Sequence, residues 1–230
     1  TRQFMRKFNF ETEHIDEFSS KLKGFFQTKD ASSTELEDIL EIKSLIRKRE
    51  AQSAYRFCGV EDENAHFLDL PFYKTGKAEK LKVSKKDIQI TKELLEDIKP
   101  HQVFVAGDKS DPHGTHKTCL DIFKQAFLEL KEEGHSWVKD CWIWQYRGAW
   151  LEWPIDEIEM AIPLSPDEVA KKRTAIFKHE SQKDGGVFPG DDSREFWQRA
   201  EDRNRNTAEL YNKLGLPEYQ AAEAFKRLEF

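Results

Sequence analysis

Val103-Phe104-Val105-Ala106-Gly107-Asp108 is the stretch that decides the fold. Four apolar residues in a row, without polar alternation, mark a strand buried on both faces of a parallel sheet. Gly107-Asp108 breaks the run, a polar loop follows, and a helix is expected from about Thr115 to Glu133. Upstream, Ser84 opens an amphipathic helix that closes before Pro100. Further back, Leu36, Ile39, Leu40, Leu45 and Ile46 fall at helical spacing and predict a helix over Thr34–Cys58. Thr34 and Glu37 form its capping box, and Gly59 supplies a stop. Between these two helices, His66-Phe67-Leu68-Asp69-Leu70-Pro71 reads as a short strand ended by proline.

Downstream, Cys141–Tyr146 and Glu159–Leu164 read as two further strands. Ser165-Pro166-Asp167-Glu168 is a strong helix start, with a capping serine, proline at the first position and acids in the first turn. That helix is expected to reach about Gln182. A Gly/Asp-rich turn over Lys183–Asp192 then leads to a helix over Ser193–Leu214 and a short closing helix from Pro217. Strand, helix, strand, loop, helix is the rhythm of an α/β fold with a doubly wound, mostly parallel, Rossmann-like sheet. One domain is expected: an irregular segment over 1–34, the α/β domain over 35–192, and a helical extension over 193–230 packed on it.

Composition narrows the function. The 230 residues carry a net charge of −6 at a pI near 5.7, which argues against general binding to a phosphate backbone and so against nucleic acid. Charged residues are abundant at 35%, but 17 Phe and 6 Trp are too many for a disordered polyampholyte. Apolar runs stop short of a membrane span, and no leader pattern opens the chain. Cys58, Cys119 and Cys141 are widely spaced with no C-x-x-C, which speaks against a disulfide framework and for a cytoplasmic location.

The densest polar constellation is Gly107–His116, just beyond the carboxyl end of the Val103–Ala106 strand, where open α/β sheets place their ligands. His113 and His116 are three apart at a helix start, so both rings can face one way. They either bind a metal together, or one binds while the other acts on substrate. The plainer alternative makes His113 a loop residue and His116 a partner of Asp108 or Asp111. A second cluster runs from Lys172 to Gln182, where Ala175, Ile176 and His179 share a helix face. His179 then either approaches the cleft or is a structural histidine beside the core. Arg49 lies in a charge run on the first long helix, ordinarily a solvated face. Five of the six tryptophans lie between Trp137 and Trp153, suited to sheet packing and also to stacking on sugar rings.

Taken in order, these stretches resemble the LmbE-like (PIG-L) de-N-acetylase family. Arg49-Glu50, Gly59-Val60 and His66–Pro71 resemble its first half, and Asp111-Pro112-His113-Gly114-Thr115-His116 resembles its H-x-x-H metal loop. Lys172, Ala175, His179, Ser181 and Gln182 resemble its C-terminal K-x-x-A-x-x-x-H-x-S-Q helix. The likeness is greatest to the LmbE-like module fused behind a glucosamine-6-phosphate deaminase domain in some bacteria. The resemblance implies a zinc hydrolase that removes an acetyl group from an N-acetylated amino sugar or sugar phosphate. It assigns His116 as a zinc ligand, His113 as the catalytic group facing the tetrahedral intermediate, and Arg49, Asp108 and His179 as substrate-binding residues. Three ligands would leave an open position on the metal, whose water a carboxylate deprotonates.

The family's His-Pro-Asp-Asp motif, source of two zinc ligands and the general base, occurs nowhere in these 230 residues, and its first strand is missing too. Negligible hydrolysis by this chain is therefore expected. The alternative is a non-catalytic sugar-binding or assembly module that keeps the fold without the metal. A missing first strand would also expose a sheet edge, which invites pairing into a homodimer.

Overall fold

The computed structural model describes residues 12–28, 37–73, 81–107, 114–149, 151–183 and 194–230. The chain divides into two compact units, Thr1–Leu45 with Thr75–Lys77, and Ile46–Lys74 with Ala78–Phe230. The first holds helix α1 (Thr12–Thr28), where sequence reading expects an irregular segment, and the start of α2 (Glu37–Phe57). Thr34, the expected cap of α2, lies outside the described residues.

The second unit is built on α3 (Lys85–Ile98), β1 (Gln102–Ala106), α4 (Thr115–Glu132), β2 (Trp142–Tyr146), β3 (Met160–Leu164), α5 (Pro166–Phe177), α6 (Glu180–Lys183), α7 (Phe196–Lys213) and β4 (Ala221–Arg227). The described strands form one open sheet in the order β1-β2-β4-β3. Strand β1 pairs with β2 in parallel, Val103 beside Ile143 and Val105 beside Gln145. Strand β4 pairs antiparallel with both β2 and β3, so β1, β2 and β3 run one way and β4 opposes them. The fold is α/β, as expected.

Helices α3 and α4 cover one face over β1 and β2. Phe72, Ile88, Leu95, Ile122, Phe123, Phe127, Leu130 and Ile143 are buried there, with Val103 and Val105 packed against them. Residues Ile88, Leu95, Ile122 and Leu130 occupy the helical spacing that makes each helix amphipathic, so burial of one stripe drives the packing. Just past β1, position 107 is a glycine because nothing larger fits. A Cβ there would lie 2.8 Å from Gln145 Cβ and 3.0 Å from a Trp153 ring carbon.

Three expected elements differ. The stretch His66–Pro71 pairs with no strand of the described sheet. It is an extended loop held by Asp87, whose carboxylate accepts the Phe72 N–H (2.8 Å), the Ser84 N–H (2.8 Å) and the Ser84 hydroxyl (2.6 Å). Asp69 takes a φ of 47°, which an extended ladder does not accommodate. The helix from Pro166 stops at Phe177 rather than Gln182, and His179 sits at the break before the short α6. The segment after Pro217 forms strand β4, not a helix. Ala221, Ala222 and Ala224 are buried there, and Asn204 of α7 donates to Ala222 O at 2.9 Å.

On the same strand, Glu223 binds cations from two helices. It pairs with Lys172 of α5 and Arg203 of α7, and Lys172 also donates to Asn204 Oδ1 at 2.7 Å. Burial works against the Glu223 charge, but Arg203 and Lys172 outweigh it and hold the carboxyl below its usual range. Lys172, the first residue of the family-like C-terminal motif, is thus an anchor between α5, α7 and β4.

Candidate functional site

An open cleft of about 550 Å³ is lined by the C-terminal half of α2, the loop after it, and His179. Ala51, Ala54 and Tyr55 recur at helical spacing and present one face of α2 to it, and Cys58 follows just past the helix end. Val60, Asn64, Ala65, His66 and Phe67 of the following loop also line it. The loop's course is set locally. Gly59 turns the chain at φ 89°, and Asp62 reaches back to accept Tyr55 Oη at 3.0 Å and Arg56 Nε at 2.6 Å. The Arg56 guanidinium holds the Asp62 carboxyl below its usual range, with the Tyr55 hydroxyl adding to the effect. Lys48 lies 4.7 Å from the Phe67 ring centroid, and Lys178 lies 5.2 Å from that of Phe57.

Two hydrogen bonds to one carboxylate tie the segment after His179 to α2. Glu50 accepts both the Ser181 N–H and the Ser181 hydroxyl, each at 2.7 Å. His179 lies two residues earlier, half-buried, its N–H bonded to Ile176 O and its carbonyl accepting from Gln182 N–H. The family-like pairs Arg49-Glu50 and Ser181-Gln182 therefore meet through Glu50 and Ser181, 131 residues apart in sequence.

Of the site residues read from the sequence, His179 lines this cleft. Arg49 is exposed on α2 and donates to Gln52 Oε1 at 2.8 Å. His116 is exposed on the first turn of α4. His113 and Asp108 lie outside the described residues, so the convergence of the histidine pair is not described. Among the described residues, no group of three metal-binding side chains includes His116. Tyr55, Cys58 and His66 also line the cleft, and sequence reading gives them no role. Their helical and loop spacing is plain, but nothing local shows which face of α2 meets His179.

No family model matches the chain. A glucosamine-6-phosphate deaminase-like protein of Bacteroides thetaiotaomicron is 52% identical over 212 residues, which cover 92% of this chain. The chain spans about a third of that relative's length, 32%. Among solved structures, N,N'-diacetylchitobiose deacetylase from Pyrococcus horikoshii aligns over 89% of this chain and 69% of its own, with a TM-score of 0.50 and 19% identity. The fold is LmbE-like. A second structural neighbour is GalB, the 4-carboxy-2-hydroxymuconate hydratase from Pseudomonas putida. It has a TM-score of 0.55 and 14% identity over 88% of this chain and 77% of its own. At such identities these neighbours establish architecture, and the resemblance read from His66–Pro71, Asp111–His116 and Lys172–Gln182 agrees with it. Among the described residues, no helix is long and apolar enough to cross a membrane.

Proposed function

We propose that the chain is an amino-sugar de-N-acetylase-like module that binds an N-acetylated amino sugar, or its phosphate, in the cleft between α2 and His179. The reading rests most on the Glu50–Ser181 clamp, which gathers two family-like motifs around one cleft. The 52% identical relative, itself deaminase-like, supports the amino-sugar class. Tyr55 and Phe67 in the lining are residue types that stack on a pyranose, and His66 and His179 are types that hydrogen-bond its hydroxyls or acetamide. Lys48, over the ring of the lining residue Phe67, suits a phosphorylated sugar.

Zinc-dependent hydrolysis belongs to the resemblance. Its chemistry would need ligands beyond His116, and the 230 residues contain no His-Pro-Asp-Asp. Binding without turnover is therefore the function assigned to the chain by itself. A fused deaminase domain, a homodimer through the open edge of β1, and a cytoplasmic location complete the same reading. Calorimetric titration of the chain with N-acetylglucosamine 6-phosphate tests it. Saturable binding should weaken about tenfold in His179→Ala, a loss of roughly 1.4 kcal/mol. Equal affinity in His179→Ala would remove the cleft from the function.

A further inference from the structure

We infer that Glu96, Glu133 and His135 form a divalent transition-metal site, of zinc type, where the carboxyl ends of α3 and α4 meet. The position of His135 is fixed by the way α4 ends. Gly134, at φ 83°, donates to Lys131 O and the His135 N–H to Leu130 O, the paired bonds of a Schellman motif. That turn brings His135 Nε2 to 3.2 Å from Glu96 Oε1 and 3.4 Å from Glu133 Oε2. Ligand atoms about 2.0–2.2 Å from a tetrahedral zinc stand roughly 3.3–3.5 Å from one another, so both spacings suit a shared metal. All three donor atoms lie within 4.8 Å of one another.

Without a metal, one ring nitrogen faces two carboxylates and has at most one proton to share between them. Lys92 is the neighbouring cation. It pairs with Glu133, and the charges of Glu129 and Glu96 also act on it. The ends of two helices add partial negative charge at the same spot. Imidazole with carboxylates suits zinc and its first-row neighbours better than calcium or magnesium, which prefer all-oxygen sites. The three side chains are partly exposed, which leaves a face for water as the fourth ligand. The site involves neither His116 nor the cleft, and it does not depend on the proposed function.

The test is zinc titration of the metal-stripped 230-residue chain against a chromophoric chelator, with thermal unfolding followed in parallel. Zinc should bind and raise the unfolding temperature. His135→Ala and Glu96→Gln should each weaken binding by at least the roughly 10–100-fold that loss of a supporting group costs. His135→Gln serves if His135→Ala folds poorly, and His116→Ala should leave this binding unchanged. Absence of saturable binding, equal affinity in the His135 and Glu96 variants, or loss of binding in His116→Ala instead would each overturn the site.

Discussion

Asp87 shows how one side chain organises a loop that sequence patterning misassigns. It is fully buried, and its carboxylate accepts bonds from Ser84 and Phe72. Burial disfavours its charge, yet these hydrogen bonds outweigh that and hold the carboxyl below the ordinary 3.8. A depressed folded-state pKa contributes stability that is present above the unfolded value and lost as pH falls through the folded one. Asp87→Ala should therefore cost roughly 2–4 kcal/mol at neutral pH, from the lost cap and the stranded Phe72 N–H. The gap between the wild type and Asp87→Asn should close as pH drops below the carboxylate range. Urea unfolding at a series of pH values checks both, and a gap that stays constant into strong acid would refute the electrostatic part.

Elements are legible in the sequence where one periodicity dominates. The Val103–Ala106 run, the Ser84 helix and the Thr115 helix stand close to where the sequence puts them, because each buries a continuous stripe or run. Strand β4 is not legible. Ala, Glu, Lys and Arg favour helix locally, and pairing between β2 and β3 overrides that preference. Small alanines also let α7 approach the strand closely. His66–Pro71 misleads the other way, a strand-like run that no strand of the described sheet receives. The cleft is half legible: His179 stands out in the sequence, while the Glu50–Ser181 tie spans too great a separation for any local pattern. Glu50→Ala should cost roughly 1 kcal/mol of stability and speed amide hydrogen exchange at Ser181. Unchanged Ser181 protection would mean the tie does not hold α6.

At the scale of the molecule, the sheet of the second unit is covered unevenly. Helices α3 and α4 bury one face of β1 and β2, and Glu223 ties α5 and α7 to β4. On the face they share with Glu223 and Phe225, Phe104 and Trp142 each remain 46% exposed, and Arg227 lies 4.0 Å over the Trp142 ring. Strand β1 ends the described sheet. Among the described residues, an apolar face and an open edge fall on one side, features that accept further structure.

The most direct measurement is parallel binding and acetate release by this chain with N-acetylglucosamine 6-phosphate in the presence of zinc. Saturable binding that perturbs the His66 and His179 ring signals, with no acetate above the protein-free blank, is the expected result. Zinc-dependent acetate release would contradict a module that binds without turnover, and absence of binding would contradict the amino-sugar reading itself.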